Sequence, residues 1–350
     1  MQLAAGAGVG ASRLGAAPER AKRLALGYDN YAVKAMGWKA AALIDYAVTL
    51  KVDTLFITDL EPLGDLKEGT LAAVRKKAED AGIALYLGSW SICPSSKSFK
   101  NDWGTAEEHL RLGIRVSKAV GSPVFRVVLG AGGDRGTEGG IKARMADTVK
   151  VLKACEGEAK DSGVKVAVEN HAGDMHTLEL KSLVEAAGPD FVGVNFDSGN
   201  ALWTMEDPLQ ALENVGRYVL TTSLRDGAVW ESENGVTVQW TAMGEGDIDW
   251  KPFFARFAEL CPEAPVQIET ISGFNRELQV KSEGYWKEWP EGKPAGYEKF
   301  LALAAKGKAR EAWQAPEGAD RGKAQQEYQR GEIERSIAYC REVLGLGRGG

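Results

Sequence analysis

The chain has 350 residues, 44% of them hydrophobic and 26% charged, with a formal net charge of −6 and a pI near 5.4. That composition belongs to a globular domain large enough for one extensive core. The acidic balance leaves no basic footprint, so no nucleic-acid partner is expected, and no stretch approaches the length of a membrane span.

Residues 1–22 are expected to form a flexible tail or the remnant of an export signal. Up to Ala17 they are small, mildly apolar and rich in Gly and Ala, like the end of a twin-arginine signal without its basic start. The signal would place the protein in the periplasm, a plain tail in the cytoplasm. The four cysteines, Cys93, Cys155, Cys261 and Cys340, form no CxxC pair. That sets aside zinc ribbons and redox motifs and predicts buried free thiols.

From Arg23 onward, apolar runs of strand length alternate with amphipathic runs of helix length. Strands are predicted over Leu24 to Tyr28, Thr54 to Thr58, Ala84 to Gly88, Val124 to Leu129, Val164 to Val168, Val192 to Phe196, Val219 to Leu224 and Val266 to Ile268. Helices are predicted over Lys39 to Leu50, Leu71 to Ala81, Ala106 to Ala119, Lys142 to Lys160, Leu178 to Ala187, Pro208 to Val215 and Trp250 to Leu260. Eight such beats over about 250 residues predict an α/β fold, a single (β/α)8 TIM barrel spanning residues 23–275. The glycine-rich stretch 130–140 matches neither GxGxxG nor GxxxxGK[ST] and is expected to be a mobile loop at the barrel mouth. Residues 276–350 break the beat with a Trp-, Pro- and Gly-rich loop and helices over Lys299 to Lys308 and Lys323 to Leu344. They carry too little apolar surface for a core of their own, so they are expected to pack on the barrel as a C-terminal helical extension.

The chemistry gathers at strand ends. Glu169, Asp197 and Glu269 close the fifth, sixth and eighth apolar runs, and Ser223 lies in the seventh. A buried carboxylate costs several kcal/mol unless it is paired or bound to a metal. Three from separate strands converge only if those strands are parallel neighbours, as at a barrel mouth. Hard oxygen donors of this kind suit Mn²⁺, Mg²⁺ or Co²⁺. For a single carboxylate, a salt bridge to an arginine near the mouth, Arg225 or Arg126, would serve as well; three in register favour the metal. His171, two residues past Glu169, points to the same side of an extended segment and is a candidate acid or base. Asn170, Asn200, Arg225 and Asp226 are candidate substrate-binding residues. Trp38, Trp90 and Trp203, each after a strand, are candidate stacking faces for a sugar ring.

Together Val168-Glu169-Asn170-His171, Asn195-Phe196-Asp197-Ser198-Gly199-Asn200, Ser223-Leu224-Arg225-Asp226 and Ile268-Glu269 resemble the xylose isomerase-like sugar isomerase and epimerase superfamily over about residues 24–275. The resemblance implies a divalent metal, often Mn²⁺, held by Glu, Asp, His and Glu on four strands, with Glu169, Asp197 and Glu269 at the carboxylate positions. It also implies that Glu169 and Glu269 flank the reacting carbon and share proton transfer, with His171 assisting. This chain departs from the pattern twice. Ser223-Leu224-Arg225-Asp226 stands where His-x-Lys-Asp is common, and Asn200 stands where many members have a histidine. The metal set expected here is therefore Glu169, Asp197 and Glu269, with Ser223 nearby. The reaction expected is isomerisation or epimerisation of a sugar or keto-sugar through an enediolate. The alternatives are a lyase or dehydratase acting on a keto-sugar or 3-keto-glycoside, and a sugar-binding barrel without catalysis. The partner expected is a small carbohydrate, in a homodimer or higher homo-oligomer.

Overall fold

The structure is a computed structural model that describes residues 23–347. The tail or export signal expected over residues 1–22 lies outside the described residues. Seven parallel strands follow in chain order: β1 (Leu26–Asp29), β2 (Thr54–Ile57), β3 (Ala84–Ser91), β4 (Val124–Val128), β5 (Lys165–Glu169), β6 (Val192–Phe196) and β7 (Val219–Thr222). A hairpin of β8 (Asp226–Glu231) and β9 (Val236–Thr241) intervenes before the eighth barrel strand, β10 (Val266–Ile268). β10 pairs in parallel with β1, placing Tyr28 opposite Ile268. A parallel bridge from Leu224 to Ile268 joins the β7 side, so the ring nearly closes. Helices on the outside and side chains within bury both faces of these strands. That explains why they read as apolar runs rather than alternating ones.

The helices are α1 (Ala40–Leu50), α2 (Glu68–Asp80), α3 (Ala106–Val120), α4 (Gly140–Ala154), α5 (Glu156–Ser162), α6 (Thr177–Ala187), α7 (Ser198–Trp203), α8 (Pro208–Val215), α9 (Trp250–Leu260), α10 (Tyr297–Ala304) and α11 (Arg321–Glu342). α3 shows how local chemistry sets the bounds. The Thr105 hydroxyl accepts from the Glu108 N–H, the Glu108 carboxylate accepts from the Thr105 N–H, and Gly121 ends the helix at φ 81°. The single helix expected over Lys142 to Lys160 is two, because the chain leaves helical geometry at the buried Cys155 (φ −110°, ψ 7°). All four cysteines are buried free thiols.

Sequence reasoning missed the hairpin. β8 and β9 pair antiparallel, and β11 (Asn275–Leu278) adds to β9 to make a three-stranded sheet. Its signal was present in Asn234-Gly235, a favoured hairpin turn, followed by the alternating run Val236-Thr237-Val238-Gln239-Trp240-Thr241. This sheet gives the late segments a shared core. Val229, Val238 and Leu278 pack with Leu202, Trp289 and Phe300. α11 lies against the turn after β1, with Ile333, Ile337 and Cys340 in the main core. Arg341 Nη2 donates to the carbonyls of Leu50 (3.0 Å) and Lys51 (2.9 Å), satisfying acceptors left free at the end of α1. Among the described residues no helix is long and apolar enough to cross a membrane.

Candidate active site

Parallel pairing places Glu169 opposite Asn195, and Asp197 follows directly after β6. Asp197 caps α7, accepting from the Asn200 N–H at 2.8 Å. Asn170 locks the same corner: its amide oxygen accepts from the Asp197 N–H (3.0 Å) and its Nδ2 donates to the Asp197 carbonyl (2.8 Å). Both residues are buried, and Asn170 serves the backbone rather than the cavity.

Two guanidinium groups enter this acidic cluster. Arg126, inside β4, donates from Nε to Glu169 at 2.5 Å and from Nη1 to the Ser89 carbonyl at 3.0 Å. Arg225 donates from Nη2 to both Asp197 and Glu269. Amides complete the set. Asn195 Nδ2 donates to Glu169 (2.6 Å) and to Ser223 Oγ (3.1 Å), and Asn200 Nδ2 donates to Asp197 (2.6 Å) and Glu169 (3.3 Å). Ser223 in turn donates to Asp29 at 3.2 Å. Asp29 is a fourth buried carboxylate, overlooked because the first strand was ended at Tyr28, one residue short.

Glycines make room for both arginines. A Cβ at Gly199 would lie 2.5 Å from Arg225 Cγ, 2.6 Å from its Cδ and 2.8 Å from Trp240 Nε1. A Cβ at Gly88 would come within 3.0 Å of Arg126 Cβ. Trp240 covers the far side of Arg225, its ring 4.2 Å from the guanidinium carbon, and its Nε1 donates to the Gly199 carbonyl at 2.9 Å. Arg225 is thus gripped along its stem and at its head.

Electrostatics differ sharply among the carboxylates. Burial pushes Glu269 well above the ordinary carboxylate range, against the pull of Arg225. Burial likewise lifts Asp197 to about 7 and Asp29 to about 6. Glu169 is also buried, yet Arg126 and His171 overcome that penalty and hold it below its usual value. Burial lowers the pKa of His171. A carbonyl can only accept, so the 2.6 Å contact with the Gly130 oxygen assigns the proton to His171 Nδ1 and leaves the Nε2 lone pair free in the neutral ring.

A cavity of about 270 Å³ opens over this cluster, lined by Glu169, Glu269, His171, Asn200, Arg126 and Arg225 together with Tyr31, Trp90, Trp203 and Trp240. Tyr31 and Trp90 also wall a neighbouring cavity of about 230 Å³ beside Trp38. Four further candidates do not take the places expected of them. Asp226 accepts from the N–H groups of Gly227 (2.8 Å), Gly244 (3.0 Å) and Ile248 (3.3 Å) and from Trp250 Nε1 (2.8 Å), so it ties a loop and stays out of the cavity. Trp38 packs on Tyr46 at 5.0 Å and lines the neighbouring cavity. Trp203 borders the central cavity, but its ring is stacked by Trp240 at 3.8 Å and covered by the Arg276 guanidinium at 4.0 Å, leaving no face for a sugar. Ser223 lies beneath the cavity on Asp29 and Asn195. The glycine-rich loop after β4 is tied down: Asp174 accepts from the Gly130 N–H at 3.1 Å and Asp134 from the Ala131 N–H at 3.0 Å.

The donor set does not fit the divalent metal that the strand-end carboxylates led us to expect. Glu169, Asp197 and Glu269 are shared with guanidinium and amide N–H groups, which cannot ligate a hard cation. Among the described residues, no three His, Cys, Asp or Glu side chains are grouped as ligands. A divalent ion about 4 Å from the Arg225 guanidinium would meet about 8 kcal/mol of repulsion at an effective dielectric near 20.

A family described as xylose isomerase-like TIM barrel matches residues 32–288. The chain is similar to a 3-oxo-isoapionate decarboxylase of Pectobacterium atrosepticum, 20% identical over 239 residues that cover 65% of this chain and 78% of the relative. Among solved structures it is similar to a D-psicose 3-epimerase in the presence of D-fructose, with a TM-score of 0.60, 15% identity, and coverage of 92% of this chain and 100% of that one. It is also similar to the IOLI protein with a binding zinc atom, with a TM-score of 0.55, 16% identity, and coverage of 80% and 95%. At these identities the likeness to the solved structures shows the fold.

Proposed function

Because the chain belongs to the xylose isomerase-like TIM barrel family, we propose that it isomerises or epimerises a sugar or keto-sugar by moving a proton beside a carbonyl. The observation that carries this is the pair Glu169, the last residue of β5, and Glu269, directly after β10, lining one small cavity with His171. One carboxylate takes the proton from carbon and the other returns it, while His171 Nε2 accepts a hydrogen bond from a substrate hydroxyl. A cavity of about 270 Å³ is below the range of about 300–1,000 Å³ that takes drug-sized ligands, which favours a substrate near monosaccharide size.

A lyase reading has one observation of its own. The second cavity shares Tyr31 and Trp90 with the first, which gives a leaving group somewhere to lie. Loss of that group after the same proton abstraction would replace reprotonation. The 3-oxo-isoapionate decarboxylase among the relatives is in keeping with carbon chemistry beside a carbonyl.

Incubation of keto-sugars and 3-keto-glycosides in D₂O, followed by proton NMR, tests both. Wild type should exchange the proton beside the carbonyl, and Glu169→Gln and Glu269→Gln should each slow that exchange by at least about 100-fold. Reprotonated epimer or isomer marks the first reading, and an enone or released aglycone the second. No exchange with any of these substrates, or near-wild-type exchange in either variant, removes the proposal.

A further inference from the structure

A buried arginine that satisfies carboxylates ordinarily spends all its donors on them. Arg225 does not. Its Nη2 alone bridges Asp197 and Glu269, while Nε and Nη1 are buried without a hydrogen-bond partner among the described residues. Such orphaned donors cost about 1–3 kcal/mol each, more when charged, unless something accepts from them. The residue borders the central cavity, and because both atoms are closed off from solvent there, the acceptor they lack would have to come from a ligand packed against the head.

We infer that the Arg225 guanidinium occupies the role of a divalent cation in this barrel, joining Asp197 to Glu269 and offering its free N–H groups to the substrate oxygen that becomes negative. The inference rests on the proposed reaction beside a carbonyl. Three independent features support it. The positive charge sits between two of the three carboxylates that would otherwise be metal ligands. Gly199 and Trp240 pack the stem and head in one position, so the charge is in place before any ligand arrives. Ser223, the hydroxyl of the fourth expected position, is engaged below the cavity with Asn195 and Asp29. A guanidinium is planar, carries its charge at every pH the protein meets, and can donate to two carboxylates and an oxyanion at once. A lysine has the charge without that fork.

The test uses the whole protein and needs no turnover, so a failed deuterium-exchange experiment would leave its result standing. Metal content is measured by mass spectrometry before and after incubation with Mn²⁺ and desalting. Oxalate, a planar dianion resembling an enediolate, is then titrated calorimetrically in EDTA. We expect below about 0.1 ion per chain in both metal samples. Oxalate should bind in EDTA, and Arg225→Lys, which keeps the charge, should weaken it by at least about tenfold. One tightly held ion per chain in wild type overturns the inference. So does oxalate that fails to bind, that binds only when Mn²⁺ is supplied, or that binds the lysine variant as well as wild type. If the lysine variant does not fold, the wild-type metal content and EDTA titration still decide.

Discussion

Gly199→Ala sets two opposing terms against each other at the seat of Arg225. Gly199 lies in α7 with no left-handed φ, so alanine should gain about 1 kcal/mol from reduced backbone entropy and better helix propensity. The new methyl would lie 2.5 Å from Arg225 Cγ and 2.6 Å from Cδ, both below any ordinary carbon contact. Overpacking of this kind costs about 1–3 kcal/mol, and Arg225 has little freedom to move because Trp240 covers its head. The net expectation is a loss of up to about 2 kcal/mol. A chain of 350 residues has an unfolding entropy near 0.7 kcal/mol/K at about 2.1 cal/mol/K per residue, so Tm should fall by up to about 3 °C. Differential scanning calorimetry measures it, with tryptophan fluorescence reporting on Trp240. Gly157→Ala in α5 is the control, since a Cβ there meets nothing within 4 Å and should stabilise. If Gly199→Ala raises Tm as the control does, the backbone term is unopposed and Arg225 is not gripped as described.

Two further outcomes concern carboxylates away from the cavity. Burial lifts Asp174 to about 8 and Glu206 to about 7 despite the hydrogen bonds each accepts. Their folded forms keep protons that the unfolded chain releases near pH 4, so this stabilisation is full below pH 4 and is lost as pH rises through 7 and 8. The buried histidines have lowered pKa values and oppose this only in the acid range. The raised carboxylates of the cluster, Asp197 and Glu269, act in the same sense, so urea unfolding should show stability falling by at least about 2–3 kcal/mol between about pH 6.5 and 8.5, and a rise over that interval contradicts the reasoning. Asp226→Asn should cost about 1–3 kcal/mol in the same assay, because one amide oxygen cannot accept the four N–H groups that the carboxylate now receives. Oxalate binding by Asp226→Asn should match wild type; weakened binding would place Asp226 back at the cavity.

The barrel was legible because its strands are buried on both faces. Each strand therefore appears as an uninterrupted apolar run, and the carboxylates that end such runs stand out. The same logic would have found Asp29 had the first run been extended by one residue. Other features were less accessible for physical reasons. Arg126 sits inside an apolar strand, and its role depends on Glu169 lying across the β4–β5 pairing, which spacing alone does not fix. Trp203 follows a strand as a sugar-stacking residue would, but Trp240 and Arg276 that cover it come from a sheet not anticipated from the sequence. Asp226 follows Arg225 immediately, yet the chain turns there into β8, and the carboxylate points to a loop instead of the mouth.

That hairpin also decides the character of the site. Without β9 there is no Trp240 to cover the face of Arg225. A guanidinium held between Trp240 and Gly199 instead has a fixed plane. Its charge is then delivered at one point between Asp197 and Glu269, where a loosely held ammonium would wander. Fixing a charge in advance of the ligand is what gives a buried cation its catalytic worth, because little reorganisation remains when negative charge develops. On the proposed reaction, the insertion between β7 and β10 would contribute to the site through Trp240 as the barrel strands do through their carboxylates. Truncating Trp240 would free the head of Arg225 and, with it, loosen its hold on Asp197 and Glu269.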